Sequence, residues 1–122
     1  MVQHTVSKWY EEHTTVAERG ALDEAKLEWL ANARWYEKIV DERIAELRRE
    51  IEAFRAEIHE IIQGRGGILS DAPLLPEKEA RWQELSLLIK LRESELQALE
   101  RIFAQATVAR MDAEREAGID HN

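Results

Sequence analysis

At 122 residues the chain has the length of one domain, and its charged fraction of 34%, against 7% aromatic, points to long solvated helices. The net charge of −8, with no Lys/Arg block, disfavours binding along a phosphate backbone, and the absence of cysteine excludes disulfides and thiolate chemistry. The longest apolar run, Leu85–Leu91, is far too short to span a bilayer, and residues 1–15 carry neither the basic region nor the apolar core of a signal peptide. A cytoplasmic protein with no membrane or nucleic-acid partner is expected.

Apolar residues recur at helical spacing throughout, and no segment alternates with a period of two. In chain order, Val2, Val6, Trp9, His13 and Val16 step by 4, 3, 4, 3 and predict a short first helix over about 3–18. Gly20 interrupts the pattern, and Asp23 is a candidate N-cap for a second helix over about 23–63, with Lys26 standing where a capping box would have Glu. The clearest register of this helix is Val40, Ile44, Leu47, Ile51, Phe54, Ile58 and Ile61, the a/d spacing of a left-handed coiled coil. Extended backwards through Leu22, Ala25, Trp29, Ala33 and Tyr36, it needs one extra step of four near Val40. Leu27, Leu30, Ala31, Trp35 and Ile39 form a second stripe, against which the first helix is expected to fold.

Gly64 is the expected cap of the second helix, and a turn follows over 64–75. Pro76 suits the first position of a third helix reaching about 117, where its missing N–H costs nothing. Glu77 and Glu79 then lie in the first turn, favoured by the helix dipole, and Gly118 is the expected stop. Apolar positions follow at Trp82, Leu85, Ile89, Leu96, Leu99, Phe103, Ala106 and Ala113. Paired outward from the turn, seam residues of the two long helices have numbers adding to about 139, and alanines meet alanines at Ala33–Ala106 and Ala25–Ala113. The expected fold is therefore all-α: one domain over 1–122, a short N-terminal helix packed on a long antiparallel, coiled-coil-like hairpin. Leu87, Leu88 and Leu91, with Ala80, Ala98 and Ile102, lie off that seam. Such a stripe calls for a partner, first a second copy completing a helical bundle, alternatively a different protein.

Sequence chemistry argues against an enzyme. None of His4, His13, His59 and His121 has Glu three residues before it, as a di-iron bundle requires, so neither a metal nor another cofactor is expected. No serine sits in a nucleophile elbow, and Gly64–Gly67 lacks the lysine of a phosphate loop. Two seam arginines remain. Arg92 is expected opposite Leu47, reaching Glu46 or Glu50, and Arg110 opposite Trp29, stacked as a cation–π pair. Arg34 and Arg110 with Trp9, Trp29, Trp35 and Tyr36 make a candidate anion site, although structural packing is the plainer role for them. The like-charged ladder Glu42, Glu46 and Glu50 asks for compensating cations.

The turn holds five candidate tip residues: Ile68, Leu69, Asp71, Leu74 and Leu75. Its run Gly67-Ile68-Leu69-Ser70-Asp71-Ala72 resembles the hairpin tip of the Gre-type transcript-cleavage factors, which read Gly-Asp-Leu-Ser-Glu-Asn there. Asp71 matches in charge, whereas Ile68 stands in place of the first tip acid. The resemblance implies a transcription regulator inserting its tip into an RNA polymerase channel. The residues themselves point first to a non-enzymatic adaptor, assembly factor or inhibitor, acting on itself and on another protein.

Overall fold

A computed structural model describes residues 9–119, which are helical apart from short connections and include no strand. The helices are α1 (Val16–Ala21), α2 (Glu24–Gly64) and α3 (Pro76–Glu116), preceded by a helical stretch at residues 9–13. The two long helices pack against each other. Val2, Val6, His4 and residues 3–8 of the expected first helix lie outside the described residues, as does His121.

The first helix does not continue to residue 18. It breaks at Thr14 and Thr15, where a capping box starts α1 instead. The Glu18 N–H donates to the Thr15 hydroxyl at 3.1 Å, and the Thr15 N–H donates to the Glu18 carboxylate at 2.7 Å. Two otherwise orphaned donors are satisfied reciprocally, which outweighs extending the helix through two β-branched residues. The signature Thr-x-x-Glu stands at residues 15–18, and apolar spacing alone passes over it. Asp23 then caps α2, its carboxylate accepting the Lys26 N–H at 2.9 Å.

Gly66, rather than Gly64, closes α2. The Gly66 N–H donates to the Gln63 carbonyl and the Gly67 N–H to the Ile62 carbonyl, both at 3.0 Å. This is the paired closure of a Schellman motif, with Gly66 at φ +108° in the left-handed position. Gly118, at φ +80°, ends α3 in the same way through Gly118 N–H to Arg115 O and Ile119 N–H to Glu114 O.

Contacts divide the chain into two compact units, Met1–Glu42 with Arg101–Asn122, and Arg43–Glu100. In the second unit, α2 buries Ile44, Leu47, Ile51 and Ile61, and α3 buries Leu85. Ion pairs flank these layers, and along α2 their members recur every seven residues. On one flank Arg43, Glu50 and Glu57 pair with Glu95, Arg92 and Arg81. On the other, Arg48 and Arg55 pair with Glu100 and Glu93. Numbers rise along α2 as they fall along α3, so the segments run antiparallel. Arg92 reaches Glu50 at 2.8 Å, while Arg43 lies 2.9 Å from Glu46 and 3.9 Å from Glu50. The upper part of the glutamate ladder is thus compensated within the chain.

In the first unit the buried apolar residues are Leu27, Leu30, Ala31 and Val40 of α2 with Ala106 and Ala113 of α3. This corrects the backward register. Ala25 is exposed, and Trp29 and Tyr36 are 44% and 45% exposed. The extra step of four is absent. Spacing continues from Val40 through Glu37 and Ala33 to Leu30, so a carboxylate occupies a layer where an apolar residue was expected. Arg110 explains why that is tolerated: it donates to Glu37 at 2.7 Å.

The two glycines at the end of α2 should respond oppositely to alanine. Gly64 is helical, with open space where a Cβ would stand, so Gly64→Ala should stabilise the fold by about 0.5–1 kcal/mol. Gly66→Ala should destabilise it by about 1–3 kcal/mol, because Ala is strained at that φ. Urea denaturation of both variants checks the pair; a destabilised Gly64→Ala would return the cap to Gly64.

Candidate functional site

Arg34 and Arg110 converge in the first unit, as the candidate anion site requires, but on a shared carboxylate. Arg34 donates to Glu18 through both terminal nitrogens, at 2.9 and 3.0 Å, to Glu114 through Nε at 3.3 Å, and to the His13 carbonyl at 3.0 Å. Arg110 donates to Glu37 and to both oxygens of Glu114, at 3.0 and 3.1 Å. Glu114 is buried. The network joins the carbonyl end of residues 9–13, α1, α2 and α3. Two cations meet three carboxylates, so neither guanidinium of the cluster is left to bind an anion.

Electrostatics agree with that assignment. The hydrogen bond from Arg34 holds the Glu18 carboxyl below its ordinary range, against the opposing effect of burial. Burial would lower the Arg34 guanidinium, but its bonds to Glu18 and Glu114 raise it overall. Glu37, followed by Glu114, raises that of Arg110. Burial, followed by the carboxylates of Glu28 and Glu24, raises the Tyr10 phenol.

The aromatic residues do not gather around these arginines. Trp9 packs with Tyr10 and His13, at ring-centre distances of 5.3 and 5.4 Å. Trp29 and Trp35, six apart on one helix, point about 120° away from each other. Arg110 is held by Glu37 and Glu114 in place of the expected stack on Trp29. The cation–π contact among the described residues is instead Arg65, 5.5 Å from the centre of the Trp82 ring. Sequence reasoning misses Arg65 and Trp82 as a site; only their position at the two ends of the turn hints at contact.

The second unit carries the other candidates. Leu87 and Leu91 are 58% and 52% exposed, while Leu88 and Ala98 are half-buried. Ile102, also half-buried, belongs to the first unit. At the turn Leu74 is half-buried, whereas Ile68, Leu69, Asp71 and Leu75 are exposed, Leu69 by 94%. The Ser70 hydroxyl accepts the Ala72 N–H at 3.1 Å, and the Ser70 N–H donates to Gly67 O, so the tip has a defined backbone path. Among the described residues no group of three or more His, Cys, Asp or Glu is arranged to hold a metal ion, and no helix is long and apolar enough to cross a membrane.

Removing Arg34 should leave Glu18 without its cation and take one of the two arginines from Glu114, which Arg110 still holds. Arg34→Ala is expected to cost about 3 kcal/mol, read as the urea midpoint. Acid should act on the same bond. The Glu18 pKa is depressed in the folded state, so its stabilisation is complete above the ordinary value of 4.5 and is lost as pH falls through the folded value. Stability measured from pH 7 downward should therefore fall less steeply below about pH 4.5 in Arg34→Ala than in the native chain. Parallel curves would dismiss the pair as a contributor.

Comparison of the chain with protein-family models, with curated proteins and with solved structures finds no match in any of the three.

Proposed function

We propose that the protein is a non-enzymatic protein–protein interaction module, an adaptor, assembly factor or inhibitor. It is built as an antiparallel coiled-coil hairpin and works in the cytoplasm as a homodimer. The observation that carries this is the pair Leu87 and Leu91, more than half exposed on a helix whose Leu85 is fully buried. Two large leucines one turn apart on a solvated face lose their hydration cost only when something covers them. The seven-residue spacing of the paired residues along α2 supports the coiled-coil reading. The non-enzymatic reading draws support from Arg34, Arg110, Glu18, Glu37 and Glu114, which pair with one another.

Sedimentation should give twice the 14.2 kDa chain mass for the native protein, and the single-chain mass for Leu87→Glu/Leu91→Glu with helix content unchanged. A native monomer at high concentration removes the homodimer and leaves the stripe to a different protein.

A second reading, tip insertion into an RNA polymerase channel, draws on the outward display of Ile68, Leu69 and Asp71. It requires that the native chain co-purify with bacterial RNA polymerase and that Asp71→Ala alter transcript cleavage. Absence of co-purification, or an unchanged cleavage pattern, removes it.

A further inference from the structure

Seven arginines among the described residues are half-buried: Arg19, Arg34, Arg43, Arg65, Arg81, Arg92 and Arg110. Six of them place a guanidinium nitrogen on a protein oxygen. Arg65 does not. Its Nε is buried with no acceptor, and its guanidinium lies over the Trp82 ring at 5.5 Å. Buried donors are normally satisfied, so Nε is an exception, while the terminal nitrogens, also without a protein oxygen, reach the surface and are open to a ligand. Arg65 also lines an open groove of about 530 Å³ with Trp82, Ser86, Leu87 and Lys90. Lys90 is exposed and has no carboxylate partner among the described residues. The acid on the rim, Glu79, accepts from Gln83 at 3.3 Å.

We propose that this groove docks a segment of a partner protein in which a carboxylate side chain neighbours an apolar one. The carboxylate pairs with the terminal nitrogens of Arg65, assisted by Lys90, and the apolar side chain covers Trp82 and Leu87. The cation–π contact with Trp82 keeps the guanidinium beside the groove before binding, which lowers the ordering cost of a charge-assisted contact. Charge selects this occupant over a nucleic acid. Two cations against one rim acid match a single carboxylate, whereas a polyanion would meet a chain of net charge −8. At about 530 Å³ the groove has room for more than one side chain of a docked segment, and Trp82 and Leu87 give it apolar surface.

The proposal rests on the interaction-module reading and names the chemistry of its partner. Because Leu87 belongs to both surfaces, a docked peptide should compete with self-association.

The test uses a phage-displayed random dodecapeptide library selected on the full chain, followed by titration of synthetic copies of the selected peptides. Asp or Glu next to Leu, Ile, Phe or Met should be enriched, and the Trp82 indole N–H resonance should shift on binding. Arg65→Gln should weaken binding about tenfold or more, and Arg65→Lys less so. Lys78→Gln, outside this groove, should leave affinity unchanged, and thermal melts should show each variant folded. Selected peptides lacking an acid, or an affinity that Arg65→Gln and Lys90→Gln leave unmoved, overturn the proposal. No binder from the library together with a sedimenting dimer overturns the groove while the module reading stands. No binder and a monomer together remove both.

Discussion

A helix with one narrow apolar stripe cannot hold itself together in water, so α2 and α3 depend on meeting each other in a single register. In the second unit Ile44, Leu47 and Ile51 face the α3 stripe, and Leu85 is fully covered. Leucine and isoleucine layers are alike enough that burial alone would accept a slip of one heptad. The flanking charges would not. Sliding α3 by seven residues would set Glu57 opposite Leu88 or Leu74 in place of Arg81. Each half-exposed pair is worth only about 0.2–1 kcal/mol, but a slip forfeits several at once. The pairs therefore act on specificity more than on stability.

The first unit uses the same residue types differently. There Arg34, Arg110, Glu18, Glu37 and Glu114 form a connected cluster that stands among the core contacts. Such a cluster contributes less net stability than an apolar core of the same volume, since its charges are desolvated. What it provides is direction. Arg34 binds both Glu18 and the His13 carbonyl, so the break at Thr14 and the start of α1 are tied to one place on α2. An apolar patch would let the N-terminal segment slide along the helix, whereas bidentate hydrogen bonds do not.

These two uses of arginine give the remaining surface its meaning. Nearly every half-buried guanidinium is committed to fold geometry, so an uncommitted one at the turn stands apart chemically. The exposed leucines of α3 and the outward residues of the tip lie in the same unit as Arg65. In the first unit, by contrast, Arg34 and Arg110 are both held by carboxylates.

Sequence periodicity determined that the described chain is helical and that two long helices pack together. It also placed the start of α3 at Pro76 and its stop at Gly118, because Pro fixes φ for a first helical turn and Gly admits the left-handed conformation that ends one. Pairing the seam residues outward from the turn brought Arg92 to Glu46 or Glu50, and the structure has it on Glu50. Expectation and structure part where a polar residue stands in a core layer. Glu37 breaks the apolar pattern, so spacing puts Tyr36 on the seam and Arg110 against Trp29, and neither holds. Only the tertiary structure decided that Glu37 and Arg110 neutralise each other there, since the compensating charge lies 73 residues away in the chain. The same holds for Arg65. Its half-buried place over Trp82, without a carboxylate, depends on where the chain returns after the turn, and local spacing carries no record of that.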